Sequence, residues 1–426
     1  MIPLNKKWIW FIPPINIAAE GLHTGIPLFV IHLGGGIKEV SIVIAIHYGA
    51  AALGSIFWGK ILDKYHAQKA VLMISFSAIM LCCIWLYFTA SINPIYIIAP
   101  LSGFFLTARS PVTQMLVMET SQNNQWSKLF ARTSLLSTFG SLGAMLIGAV
   151  WSLYFDSRQY FATCAIAVAV ALVISTQISK THFHIERHAI AHSVHGIQHV
   201  FGHFRMHHHL MFPKIPSIHD YRHVFSILKG KVSHEIGFLF LANLLFYFGS
   251  NIYFTALTPF LKSLHLSDAT VFTLYLIQTS TMAVIFFVAP KIIARLGEEK
   301  ATIVSYLPRV LGVLVAAFLI SMFSGYTLIS FAILSMCLMV VGFSIFTTAN
   351  SVLLFKSIPK GFEGTYLGVN SSMVGMGVFG GALTAGFVTV SAGYTVAFIV
   401  ASAILVVSVV LFRFYLHHRM SENVIH

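Results

Sequence analysis

Polar residues in the first 180 positions are confined to short gaps between long apolar stretches, and the same pattern returns after position 234. A helix rising 1.5 Å per residue needs about 20 residues to cross a hydrocarbon core of about 30 Å. Twelve stretches meet that length: 8–31, 40–59, 70–90, 95–118, 129–154, 159–179, 235–261, 270–289, 301–322, 327–349, 365–388 and 393–416. The pattern predicts an all-α integral membrane protein of 12 transmembrane helices in two six-helix bundles, residues 1–179 and 235–426. Between them, residues 180–234 form a polar, histidine-rich connector.

Composition agrees, since 57% of residues are hydrophobic and 9% charged, against roughly a quarter charged in a soluble domain. Lys6 and Lys7 precede the first stretch as in a signal peptide, but the stretch is long and lacks a small-residue cleavage pattern, so a retained span is expected. Cys82, Cys83, Cys164 and Cys337 fall inside spans, where a thiol behaves as a small hydrophobe and says nothing of redox compartment.

The net charge of +13 gains its meaning from its distribution rather than from any nucleic-acid partner, which is not expected. Of 26 Lys and Arg, 21 fall on the side of the N-terminus, while Lys38, Arg158 and Lys262 fall on the other and Arg109 and Arg309 lie within spans. Positive loops stay cytoplasmic, so both termini and the connector are expected inside a cytoplasmic (inner) membrane.

The halves repeat. "WGKILDKYHAQKAVL" (Trp58 to Leu72) aligns with "APKIIARLGEEKATI" (Ala289 to Ile303) at an offset of 231, placing Lys64 and Lys69 with Arg295 and Lys300. "FARTSLLSTFGSLGAMLIGA" (Phe130 to Ala149) aligns with "EGTYLGVNSSMVGMGVFGGA" (Glu363 to Ala382) at 233. Duplicated halves are a transporter pattern. The loop after the second span, with Gly59, Ile61, Asp63, Lys64 and Lys69, resembles the G-x-L-x-D-R-x-G-R-K loop of the major facilitator superfamily, with His66 where the family has glycine. "GFFLTARSPVTQMLVMET" (Gly103 to Thr120) is similar to that family's fourth span. The resemblance implies two pseudo-symmetric bundles rocking around a cavity lined mainly by spans 1, 4, 7 and 10, with Gly59, Asp63, Lys64, Lys69, Arg295 and Lys300 in the gating loops. The family's fifth-span antiporter signature has a Gly-Pro pair; here Gly140, Gly143 and Gly148 stand without proline, which disfavours drug/proton antiport.

Among the acidic residues only Glu20 lies deep in a span, where a carboxylate costs a few kcal/mol or more unless protonated or paired. Arg109 falls at a similar depth in span 4. Glu20, His23 and Thr24 share a helical face, and burial favours the protonated carboxyl while a nearby guanidinium favours the ionised one. Glu20 and His23 are therefore proton-coupling candidates, against a static Glu20–Arg109 pair or an unpaired, snorkelling carboxyl. Arg109 could equally hold an anionic solute through paired hydrogen bonds. Arg309 is expected to snorkel toward the interface near Lys300.

In the second half Asn243, Tyr247 and Asn251 are spaced by four on span 7, and Asn350 lies on span 10. Such groups either bind a polar solute or join helices. His47 and Gln278 occupy equivalent repeat positions and either line or pack.

Residues 180–234 hold 13 of 21 histidines; His184, His188, His192, His195, His199 and His203 form one stripe, opposed by Ile190, Val194, Ile197, Phe201 and Phe204. An amphipathic helix on the membrane surface is expected. Histidine titration near neutrality would strengthen its attachment to anionic lipid, and His188, His192, His195, His199 and His203 are candidates for a divalent metal. No H-E-x-x-H, G-x-S-x-G or P-loop pattern occurs, so neither enzyme nor cofactor is indicated. The expectation is a monomeric, proton-coupled secondary transporter of a small organic solute, symport slightly ahead of export. Drug or sugar efflux, and a metal- or pH-responsive sensor on a transporter scaffold, are the alternatives.

Overall fold

A computed structural model of the protein describes residues 6–65, 67–120, 126–178, 234–318, 322–323, 325–357 and 363–425. The connector's histidine stripe and its metal candidates lie outside these residues. Every regular element among the described residues is helical. A 3₁₀ turn (Lys6–Phe11) leads into α1 (Ile12–His32), followed by α2 (Ile37–Tyr65), α3 (Gln68–Phe88), α4 (Ile95–Leu106), α5 (Arg109–Thr120), α6 (Trp126–Tyr154) and α7 (Ser157–Thr176). The second half contains α8 (His234–Ser263), α9 (Asp268–Leu296), α10 (Glu298–Phe318), α11 (Gly325–Ser357) and α12 (Glu363–Ile425).

Ten segments among the described residues are long and apolar enough to cross a membrane. One is the 48-residue run Asn370–His417, which is broken by Gly393 at φ 86°, ψ 170°. A side chain at that φ would clash with its own backbone, so glycine permits the break. The first helix, α1, is outside the ten; prolines occupy its opening positions, where an amide has no helical partner to lose.

The fourth span is not one helix. α4 stops at Leu106 and α5 starts at Arg109, with Thr107 and Ala108 in a turn. Pro111 is the cause: it has no N–H to donate to the Thr107 carbonyl, which instead accepts from the Ser110 amide at 3.3 Å. Thr107 Oγ1 donates to the Phe104 carbonyl (2.8 Å), and Trp58 Nε1 of α2 donates to that same carbonyl (2.9 Å). The break is thereby tied to α2, and Arg109 leaves the chain at its lower lip.

The halves meet through α2 against α12 and α6 against α9. Two approaches there admit only glycine. A Cβ on Gly148 would lie 2.4 Å from the Phe272 ring, and one on Gly386 would lie 2.5 Å from the Ser41 Cβ. Tyr160 and Phe272 add a ring contact across the halves at 5.2 Å. These contacts sit in helix ends adjoining the 33–36, 155–156 and 264–267 connections and the break at Gly393, so the halves are pressed together on the face carrying Lys38, Arg158 and Lys262.

Candidate functional site

On α1, Ile12, Ile15, Ala18, Ala19 and Leu22 are buried, as are Asn16 and Thr24, so the helix is enclosed by its neighbours. Asn16 Nδ2 donates to the Ile12 carbonyl at 2.7 Å, which fixes the amide and presents its oxygen outward. Arg109 Nη1 donates to that oxygen at 2.6 Å. Glu20 stands one turn further along α1 and is half-buried. Arg109, Tyr48 and Tyr160 each lie close enough to feel its charge. Among the described residues no ion pair joins Glu20 to Arg109; the pairs are Lys262–Asp268 and Lys356–Glu298. The static-pair expectation is thus not what the structure shows. The amide takes the guanidinium and leaves the carboxylate near it but unclamped.

His23 and Thr24, expected beside Glu20, diverge. Thr24 Oγ1 turns to Met145 Sδ on α6 (3.7 Å), whereas the exposed His23 ring meets Tyr48 of α2 at 6.0 Å. Beyond it His47 packs on Tyr48 at 5.3 Å and places Nδ1 3.0 Å from the Ala99 carbonyl and 3.2 Å from Ser102 Oγ. A carbonyl only accepts, so Nδ1 carries the proton. His23, Tyr48 and His47 line a cavity of about 20 Å³ with Leu22, Ile26 and Val43. That is room for about one water, far below the several hundred Å³ of a solute pocket.

In the second half the residues divide between two roles. Asn243 is fully buried and donates from Nδ2 to Asn370 Oδ1 of α12 at 2.8 Å, so it joins helices. Asn251 Nδ2 donates to the Tyr247 carbonyl one turn back (2.9 Å), and both side chains are half-buried. Asn350 and Gln278 are buried with an unpartnered side-chain oxygen each.

Arg309 departs from expectation. It does not snorkel: it is 1% exposed, with Nε donating to Ser250 Oγ of α8 (2.9 Å) and Nη1 to the Met339 carbonyl of α11 (2.6 Å). Its Cζ lies 4.9, 5.4 and 5.2 Å from the rings of Phe246, Phe254 and Phe343. The interval from Lys300 gives depth along the helix but not the face, and Arg309 faces inward.

Of the residues expected in gating loops, Gly59 is half-buried and Arg295 and Lys300 are exposed, while Lys69 Nζ donates to the Thr176 carbonyl of α7. The side chains of Asp63 and Lys64 lie outside the described ones. Among the described residues no group of three or more His, Cys, Asp or Glu could hold a metal.

The family model of the Major Facilitator Superfamily matches residues 9–308 and 239–424. The chain belongs to that superfamily. Its fold matches a variant of the nucleoside transporter NupG at TM-score 0.73 and 13% identity, covering 96% of this chain and 100% of the other. A sulfate complex of a peptide transporter POT matches at 0.72 and 14%, covering 96% and 93%. A POT family transporter in complex with 5-aminolevulinic acid matches at 0.71 and 15%, covering 96% and 95%. No curated protein matches in sequence. The superfamily protein is a membrane transporter and not an enzyme.

Proposed function

We propose that this facilitator moves a small organic solute by alternating access, with twelve spans, and that a proton taken by Glu20 drives it, in symport with the solute. The observation that carries the reading is the unclamped Glu20 carboxyl one turn from the Asn16–Arg109 hydrogen bond at 2.6 Å. A carboxyl locked in an ion pair could not cycle its proton without breaking that pair; one that senses Arg109 at a distance changes its protonation as the guanidinium or the water around it moves. The exposed His23 ring offers a proton an approach from the cavity side. The sealed face, with Phe272 against Gly148, supports a state closed on one side, and the broken fourth span supplies a discontinuous helix of the kind that forms transporter sites. Nucleoside and peptide transporters share the fold, and polar solutes of that size suit Tyr247 and Asn251. The excess of positive charge in the loops on the side of the N-terminus supports both termini lying in the cytoplasm.

The test is flux in proteoliposomes. Glu20→Gln is expected to retain solute counterflow while losing acid-driven accumulation; accumulation as strong as in the parent protein would remove Glu20 from the coupling step.

A further inference from the structure

Arg309 holds a positive charge within the second half, and among the described residues no carboxylate neutralises it. A hydroxyl, a backbone carbonyl and three aromatic faces surround it. These dipoles and ring faces solvate a cation without cancelling its charge.

Its place in the repeat is informative. The offset of 231–233 carries Arg109 onto positions 340–342 of α11. Arg309 lies against that stretch: Nη1 bonds the Met339 carbonyl, and a Cβ on Gly342 would stand 3.0 Å from the Arg309 Cβ. The same offset carries Asn16, which accepts from Arg109, onto 247–249 of α8, beside the Ser250 that accepts from Arg309. Arg309 branches from α10 instead of α11, and its guanidinium lies beside the stretch of α11 onto which the repeat carries Arg109. Glu20 has no such counterpart, since the offset leads to Asn251–Tyr253. Deep within the described spans there are thus two guanidinium groups, Arg109 and Arg309, and one carboxylate, Glu20.

We propose that the transported solute is an organic anion, a carboxylate or a phosphate ester, drawn between the halves by the paired charges of Arg109 and Arg309. Half-buried Arg109 contacts the anionic group; Arg309, sealed behind its rings, acts through its field. At the effective dielectric of about 20 that describes charges within proteins, a unit charge about 10 Å from an anion changes its affinity on the order of tenfold. When Glu20 is protonated the excess positive charge grows, so proton and anion favour each other's binding. This assignment rests on the transport reading above.

The experiment is thermal unfolding of the purified full chain in detergent, at constant ionic strength, with matched probes: benzoate against benzamide, succinate against succinamide, glycerol 3-phosphate against glycerol. An anionic member is expected to raise the transition and its neutral twin to leave it unmoved. In Arg309→Met the concentration giving half the shift is expected to rise about tenfold, the effect of the lost field, while the unliganded transition stays level or rises, because apolar replacement of a buried charge is often neutral or stabilising. Arg309→Lys, which keeps the charge, is expected to retain the shift. Neutral probes acting as strongly as anions, or no anion acting at all, would overturn the proposal. So would a variant pair in which both unliganded transitions drop and the affinity for the anion is unchanged, the signature of a helix clamp. Binding is read here without flux, so failure of the transport reading appears separately, in the Glu20→Gln assay.

Discussion

Asn16 decides where Arg109 points, and through it how Glu20 is held. Removing the amide leaves a guanidinium without its acceptor, and Asn16→Leu is expected to lower stability by about 1–2 kcal/mol, the range for a hydrogen bond to a charged group in a membrane protein. Thermal unfolding reads that loss. Counterflow would weaken with it as Arg109 swings toward Glu20; a transition within error of the parent would show that the bond contributes nothing. Glu20 and Arg109 are visible in the sequence because formal charge in an apolar run stands out at once. Asn16 is not, although it lies four residues before Glu20 on the same face, because a neutral amide in a span has many ordinary uses. Arg309 misleads for a related reason. In lipid both faces of a helix are apolar, so hydrophobic pattern does not separate the packed side from the lipid side, and its inward orientation becomes legible only from the contacts with Ser250 and Met339.

Among the elements, the proposed mechanics rest on the fourth span and the sealed face. The apolar run from 95 to 118 reads as one helix, though Pro111 within it marks the place where the ladder must break. Pro111→Ala restores an amide that can bond the Thr107 carbonyl. The expected outcome is a chain at least as stable in unfolding, with counterflow reduced because Arg109 is carried away from Asn16; unchanged counterflow would make the break incidental. At the seam, a valine at position 148 cannot coexist with the Phe272 ring. Gly148→Val is therefore expected to hold the halves apart on that face, and a cysteine placed at Ser41 should then react faster with a water-soluble maleimide. Equal labelling with normal flux would show that this contact does not gate. Of the native thiols Cys82, Cys83 and Cys164 are buried, and half-buried Cys337 is replaced by alanine in parent and variant alike to remove its background. Helix boundaries up to position 357 agree with the sequence to within about eight residues, except that the fourth run is split at Thr107 and Ala108; the runs 365–388 and 393–416 meet at the break at Gly393.

For the whole molecule, the asymmetry of lysine and arginine predicts the orientation, and a cysteine replacing Lys262 should be labelled from outside intact cells while one replacing Lys300 should not. The reverse pattern would invert the topology. Two halves of related sequence make a repeat that is legible in the residues alone, and it pairs Lys64 and Lys69 with Arg295 and Lys300. What the repeat cannot reveal is its own exception, in which the second guanidinium arrives from a neighbouring span. In the proposed cycle protons and solute move together, and one measurement addresses this coupling directly: a pH-sensitive dye sealed inside proteoliposomes while an accepted solute is added outside. Coupling through Glu20 gives interior acidification that follows solute entry in the parent protein and disappears in Glu20→Gln. Acidification of equal size in the variant, or alkalinisation in the parent, would contradict it.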